Sequence, residues 1–380
     1  MKVLINAFSA RQGGGQTYLL NLLKFIPTDM RAEVFVLAPY SFQIPLDHEN
    51  VKRIQINWPV KNPFLRALWE KVRLPRLLRE LGIDILFCPG GIITTTPPPR
   101  CKTVTMFRNM IPFDLSQRQK YPLGYARVRN WILQRVMLRS MQQADLVIFI
   151  SEYARKVIER FSERPLGLTQ VIPHGINPNY RNIDSTTVVR PSWLPKEDYL
   201  LYVSTLDVYK AQVQVVQAFA KLKQLRVTTE KLLLIGPENP YYGKKVRDEI
   251  RLNRLDDDVL IIGTIPYSEL PAVYCHALVN VFASESENCP NILLEALAAG
   301  RPVLASNRPP MPEFGGNAAV YFDPELPGEL AEKLAHILEN PAVMVEMSAL
   351  AKQRSFLYDW HVAAQQTWRA ISALHREEKR

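Results

Sequence analysis

The sequence predicts an α/β protein made of two doubly wound, parallel-sheet domains. Three observations predict it. Short apolar, β-rich runs alternate with helical runs along the whole chain, a pattern that places parallel strands under helices on both faces. A polar, proline-bearing stretch interrupts that rhythm near the middle. At 380 residues, 47% of them hydrophobic, the chain has material for two cores.

In the first half, strands are expected over residues 2–7, 33–37, 83–87, 103–106 and 146–150, each a compact apolar run. Gly13, Gly14 and Gly15 follow the first strand at the start of a helical pattern, where glycine lets a backbone approach a ligand phosphate closely. Residues 173–198, with Pro173, Pro178, Pro191 and Pro195, are expected to be the linker. In the second half, strands are expected over 199–204, 232–235, 259–262, 279–283 and 302–305. After the fourth of these a helix starts near Asn291. Leu293, Leu294, Leu297 and Ala298 recur at helical spacing, Pro290 suits a first turn, and Gly300 with Pro302 ends the run. A last helix covers about residues 361–376.

Composition excludes several classes. No run of eighteen apolar residues occurs, and the N-terminus enters a strand in place of a signal peptide's apolar core, so a cytoplasmic protein is expected. Cys88, Cys101, Cys275 and Cys289 form no C-x-x-C pair, which argues against a zinc site and fits a reducing compartment. Residues 1–180 hold 25 Lys+Arg against 12 Asp+Glu, an excess of 13 positive charges, whereas residues 181–380 hold 22 against 25. The excess concentrates in residues 61–79, where Leu65, Leu68, Trp69 and Val72 interleave with Lys71, Arg73, Arg76 and Arg79, and in residues 118–139, with Tyr121, Tyr125, Trp131 and Ile132. Basic amphipathic segments with aromatics suit an anionic membrane surface; the plainer reading packs their apolar faces on the sheet and wets their charges. No helix-turn-helix, RNP-like or zinc pattern supports nucleic acid as a partner.

The chemistry concentrates at residues 285–303. Glu287 lies in the loop and Glu295 one turn inside the helix that starts near Asn291. Free backbone N–H groups at that helix start, with its positive dipole end, can hold a phosphate, and a carboxylate one turn in can accept hydrogen bonds from a sugar or ribose diol. Read alone, two such glutamates are ordinary surface acids. The run Glu287-x7-Glu295, continued by Ala296-Leu297-Ala298-Ala299-Gly300-Arg301-Pro302-Val303, resembles the E-x7-E signature of the family-4 retaining glycosyltransferases. Val171-Ile172-Pro173-His174-Gly175-Ile176-Asn177 resembles that family's interdomain segment. The stretch from Leu201 to Lys210, followed by Ala218 and Phe219, resembles the opening of its second domain, and Gly13-Gly14-Gly15 resembles its N-terminal glycine loop.

The resemblance implies the GT-B architecture, two Rossmann-like domains facing across a cleft: residues 1–172 for the acceptor, a linker at 173–198, residues 199–360 for the nucleotide sugar, and 361–380 as a helix returning to the first domain. It assigns Lys210 and Glu287 to catalysis, with Arg108 as a compensating cation, because the family's usual Arg falls at Thr205 here. Glu295, Asn288, Cys289, Pro290, Asn291, Thr205, Gly236 and Ile265 fall at donor-binding positions. Gly13, Gly14, Gly15, Asn109 and His174 fall at acceptor-binding positions, His174 with an alternative role at the hinge. The first-domain histidine of many relatives is absent; the segment reads Thr105-Met106-Phe107-Arg108-Asn109-Met110, and an Arg beside an amide can bind sugar hydroxyls or phosphate.

Asp256-Asp257-Asp258 is read as a solvated turn and not a metal site, so no metal and no cofactor is expected. An ordinary dinucleotide-dependent dehydrogenase fails two local tests: the glycines do not read G-x-G-x-x-G, and the second strand ends Leu37-Ala38-Pro39 without an acid for the ribose. The expectation is a retaining, metal-independent glycosyltransferase of polysaccharide biosynthesis. It takes a nucleotide sugar, transfers to a glycan or lipid-linked acceptor, and sits peripherally on the inner face of the cytoplasmic membrane. A non-catalytic nucleotide-sugar-binding or assembly protein is the alternative, and an epimerase of the same architecture lacks the cleft acids and histidines it would need.

Overall fold

A computed structural model describes residues 1–11, 13–40, 42–43, 50–120, 124–183 and 186–377, so Tyr121 lies outside the described residues. The chain forms two compact units, Met1–Gly175 with Asp359–Arg380, and Ile176–Tyr358. The stretch expected as a linker divides between them. Residues 173–175 belong to the first unit and 176–198 to the second, because Ile176, Tyr180 and Leu194 are apolar anchors sunk in the second core.

Among the described residues the first unit carries seven parallel strands: β1 (Lys2–Asn6), β2 (Glu33–Leu37), β3 (Val51–Arg53), β4 (Ile85–Cys88), β5 (Lys102–Phe107), β6 (Leu146–Phe149) and β7 (Leu168–Val171). Their order is β3-β2-β1-β4-β5-β6-β7, so the winding reverses between β1 and β4. The five expected strands are present within two residues at each end. β3 and β7 were not expected. Both are edge strands with one neighbour each, and Lys52, Arg53, Thr169 and Gln170 break the apolar run that marks an interior strand. The helix Gly14–Lys24 packs on the helix Trp360–Glu377. There the fully buried Trp368 donates from Nε1 to the Leu22 carbonyl at 2.9 Å. Gly175 touches the start of the same C-terminal helix: a Cβ at that position would lie 2.0 Å from the Trp360 backbone nitrogen, so only glycine fits.

The basic segments form helices Pro63–Val72, Leu74–Leu81 and Tyr125–Gln143. The first and third divide their apolar residues between core and solvent, and the second turns its leucines inward. Trp69, Leu74 and Leu78 enter the core, as do Met137 and Met141. Phe64 is 85% exposed and Tyr125 83%, with Leu68, Val72, Val128, Trp131 and Ile132 also exposed. The Arg135 guanidinium lies over the Trp131 ring at 4.3 Å.

The second unit carries six parallel strands: β8 (Tyr199–Val203), β9 (Lys231–Ile235), β10 (Val259–Gly263), β11 (Val279–Phe282), β12 (Val303–Ser306) and β13 (Val320–Phe322). Their order is β10-β9-β8-β11-β12-β13, with the reversal between β8 and β11. β13, again a short edge strand, was not expected. Ligands of such sheets bind outside the carboxyl ends of the strands at the reversal. The loops leaving β8 and β11 therefore flank the expected position.

Candidate functional site

The loop after β11 ends in the helix Asn291–Ala298, whose N-cap is the buried Pro290. No side chain caps that helix; its opening N–H, of Asn291, donates to the Cys289 carbonyl at 2.9 Å, and that of Leu294 to the Pro290 carbonyl at 3.1 Å. Ser284, Glu285, Ser286 and Asn288 of the loop are buried.

The loop after β8 forms the 3₁₀ turn Val208–Lys210. The Asp207 carboxylate opens it by accepting from the Val208 N–H at 2.7 Å. Ala211 follows at φ 54°, an uncommon conformation for a residue with a Cβ, and then the helix Gln212–Leu225 begins. Two bonds hold this turn in place: the Tyr202 hydroxyl donates to the Lys210 carbonyl at 2.6 Å, and the Glu285 N–H donates to the Tyr209 carbonyl at 2.8 Å. The second bond ties the two loops together.

This arrangement brings Lys210 and Glu287 into contact. The Lys210 ammonium donates to Glu287 Oε1, and the Ser284 hydroxyl donates to the same oxygen at 2.6 Å. Lys210 is only 5% exposed, and the rings of Tyr209 and Phe282 flank its ammonium at 4.8 and 5.4 Å. An ion pair with so little water has to be well satisfied to persist, and the second donor from Ser284 together with the ring faces does this.

Glu295 stands in a different environment. The Tyr267 hydroxyl donates to its Oε1 at 2.9 Å, and the rings of Tyr180, Tyr267 and Tyr274 gather around it, with centroids 5.9 Å (Tyr180–Tyr267) and 5.8 Å (Tyr180–Tyr274) apart. Burial pushes the Glu295 carboxyl up to about 7, against the lowering effect of the Tyr267 and Tyr180 hydroxyls. Glu295 in turn holds the already desolvated Tyr274 hydroxyl well above the ordinary phenol range.

The other donor positions spread along the same edge. Thr205 is exposed, and its carbonyl accepts from Gln212 Nε2 at 2.9 Å; no cation stands at that position. Gly236 follows β9 with φ 146°, and a Cβ there would lie 2.2 Å from the Ser204 carbonyl oxygen, so close packing of backbones alone demands glycine. Ile265, after β10, is half-buried against the second core. Cys289 and Asn291 are also half-buried, with the Cys289 thiol 3.8 Å from Asn291 Oδ1. Asp258 is held between Lys223 at 2.6 Å and Lys231 at 3.3 Å, which accounts for one member of the aspartate triplet as a structural anion.

In the first unit, Arg108 leaves β5 with its guanidinium 5.5 Å from the Tyr18 ring and Nη1 3.5 Å from where a Gly15 Cβ would stand. Arg108 and the glycine loop are thus neighbours. Gly13 takes φ 60°, and the helix Gly14–Lys24 has no side-chain cap. Asn109 is exposed, and its Oδ1 accepts from the Ile111 N–H at 3.3 Å. His174 is 3% exposed, its ring between Tyr18 at 5.6 Å and Trp360 at 5.2 Å, which places it at the joint between the interdomain segment and the C-terminal helix.

Sequence reasoning missed Ser284, Tyr180, Tyr267 and Tyr274. Serine in a loop carries no signal of its own, and the tyrosines look like ordinary apolar or linker residues until the fold gathers them on Glu295. It also missed Glu70, a buried carboxylate that accepts from Asn6 Nδ2 at 2.9 Å and from the Thr94 hydroxyl.

Residues 12–180 match the family described as Glycosyltransferase Family 4, and residues 188–354 match Glycosyl transferases group 1. The chain belongs to the family-4 glycosyltransferases. It is 24% identical to the GDP-mannose-dependent alpha-(1-6)-phosphatidylinositol monomannoside mannosyltransferase of Mycobacterium tuberculosis over 390 aligned positions, covering 98% of this chain and 95% of that one. It is 21% identical to the O-antigen chain mannosyltransferase B of Escherichia coli over 276, covering 72% and 71%. Among solved structures, sucrose-phosphate synthase from Thermosynechococcus elongatus superposes with TM-score 0.76 at 18% identity, covering 99% of this chain and 100% of the other. Anabaena HepE in complex with UDP and glucose superposes with TM-score 0.73 at 18% identity, covering 98% and 100%. These likenesses give this glycosyltransferase the GT-B fold.

Proposed function

We propose that this glycosyltransferase moves a sugar from a nucleoside-diphosphate donor to a glycan or lipid-linked acceptor with retention of anomeric configuration and without a metal ion. The observation that carries the reading is the preformed Lys210–Glu287 pair beside the uncapped helix Asn291–Ala298, at the carboxyl ends of β8 and β11. Breaking the anomeric bond puts growing negative charge on the departing diphosphate. The Lys210 ammonium, held in a nearly dry site, and the N–H groups opening that helix lower the cost of this charge most as it develops.

Glu287, fixed by Lys210 and Ser284, orients hydroxyls of the donor sugar, and Glu295 accepts hydrogen bonds from the ribose. Asn288 to Asn291 line the sugar and phosphate, and Thr205, Gly236 and Ile265 border the nucleotide. The leaving phosphate itself takes the proton of the incoming hydroxyl, so positioning and charge do the work that a general base does elsewhere. In the first unit, Arg108 and Asn109 with the glycine loop at Gly13, Gly14 and Gly15 offer positive charge and N–H donors for acceptor hydroxyls or phosphate. The printed donors of the relatives, GDP-mannose and UDP with glucose, head the list to try. In a panel of nucleotide sugars incubated with membrane lipid extract, one donor should release its nucleotide only when extract is present. No release from any donor would leave a binder, not an enzyme.

The acceptor's location supports a further expectation. No helix among the described residues is long and apolar enough to cross a membrane. Phe64, Leu68 and Val72, and Tyr125, Val128, Trp131 and Ile132, expose apolar surface beside Arg73, Arg76, Arg129 and Arg135, and we assign these faces to the anionic inner surface of the cytoplasmic membrane. Each basic residue near such a surface contributes on the order of 1 kcal/mol, and salt screens it. Flotation with liposomes containing anionic lipid should show binding at low salt that falls at high salt and is mostly lost on replacing Arg73, Arg76 and Arg79 with Glu. Indifference of the wild type at low ionic strength would remove the membrane from the account.

A further inference from the structure

Three tyrosines surround Glu295, and they are not alike. Tyr180 and Tyr274 are sealed in the second core, whereas Tyr267 is 49% exposed, on the loop that leaves β10 just past Gly263. Yet Tyr267 is the one whose hydroxyl donates to Glu295 Oε1, at 2.9 Å. Burial raises that carboxyl against the lowering effect of the Tyr267 and Tyr180 hydroxyls. The protein thus fills one oxygen of its own proposed ribose acceptor with an alcohol-type donor on a half-exposed side chain. A ribose hydroxyl offers the same chemistry, an O–H donor to a poorly hydrated carboxylate.

We infer that Tyr267 is a positioning residue that stands in for the ribose on Glu295 and is displaced when a nucleoside diphosphate binds. The inference rests on the reading of Glu295 as the ribose acceptor. It follows that nucleotide binding exchanges one O–H donor for another on Glu295, so the net gain at this carboxylate is smaller than a new hydrogen bond would give. It also follows that Tyr267 keeps Oε1 of the carboxyl partnered between turnovers, sparing a poorly hydrated acceptor oxygen. The neighbouring Tyr180 ring, 5.9 Å from that of Tyr267, is buried and fixed, so the exposed ring is the one with room to turn outward.

The test is a double-mutant cycle read by calorimetry with GDP and UDP as probes, on the full chain. Tyr267→Phe keeps the ring and removes only the competing hydroxyl, so affinity for the nucleotide that the wild type binds should rise roughly three- to tenfold. The same substitution on a Glu295→Ala background should give no gain, because the contact it removes no longer exists. A Tyr267→Phe protein that binds nucleotide as the wild type does, or more weakly, while Glu295→Ala binds weakly, overturns the inference and leaves the ribose reading standing. Glu295→Ala with wild-type affinity overturns both. Thermal melts of each variant confirm that folded protein is being titrated, and Tyr267→Leu, which removes hydroxyl and ring, separates any stacking of the ring on the base from the hydroxyl's competition. A loss in Tyr267→Leu beside a gain in Tyr267→Phe still supports the inference.

Discussion

Lys210→Ala should lower kcat on the order of a hundredfold or more while changing donor KM far less, because in the proposed mechanism the ammonium acts on charge that appears as the anomeric bond breaks. The same substitution carries a second, separable effect. It leaves Glu287 in a largely buried site with the Ser284 hydroxyl at 2.6 Å but no ammonium, so stability should fall by about 3 kcal/mol, within the range for breaking one side of a buried ion pair. The double variant Lys210→Met with Glu287→Gln removes both charges and should recover much of that stability while remaining inactive. Steady-state kinetics and urea melts on the three proteins check this. Turnover within a few-fold of wild type in Lys210→Ala would move the phosphate charge to another cation, with Arg108 the first to examine.

Glu295→Ala should weaken nucleotide binding by roughly 1.5 kcal/mol, the low end of the range for hydrogen bonds to a charged group because the Tyr267 hydroxyl gives up its place on the carboxylate, with the fold intact. The raised carboxyl adds a pH dependence whose sign is fixed. With a folded pKa of about 7, above the ordinary carboxylate value, the native protein holds a proton that the unfolded chain has lost; its stability therefore falls as pH rises toward 7, and no further loss from this group follows above it. Binding is expected to run the other way, since in the proposed site ribose hydroxyls donate to the ionised carboxylate. Affinity should increase about tenfold between pH 6 and pH 8 as Glu295 ionises. The Glu295→Gln protein, measured in parallel, should lose that part of the rise and retain only what the diphosphate's own titration produces. A wild type and a Glu295→Gln protein with superimposable profiles would remove Glu295 from the nucleotide site.

How much of this was legible in the residues depends on whether the cause was local. Interior strands such as β1, β4, β8 and β11 are covered on both faces, so their apolar runs announce them. β3 and β7 have one neighbour each, and Lys52, Arg53, Thr169 and Gln170 interrupt their apolar runs, whereas β13, Val320-Tyr321-Phe322, is apolar but only three residues long, too short to stand out as a strand. The proline-bearing stretch at 173–198 read as a linker because prolines and polar residues dominate it, but three apolar anchors sink its larger part into the second unit. Within the site, the helix start at Asn291 and the positions of Glu287, Glu295 and Lys210 could be read from spacing and resemblance. Their partners could not. The contact of Lys210 with Glu287 joins residues 77 apart, and that of Tyr267 with Glu295 residues 28 apart, and only the sheet order that brings β8, β10 and β11 to one edge makes those pairs.

In the mechanism proposed for this site, the leaving phosphate, steadied by Lys210, accepts the acceptor's proton on the face it departs from. The anomeric configuration of the product reports this most directly. With the donor that supports turnover, NMR of the transferred sugar should give the same anomeric configuration as in the nucleotide sugar. An inverted anomer would require attack from the opposite face by a hydroxyl activated by a protein base, and would contradict the mechanism proposed for this site.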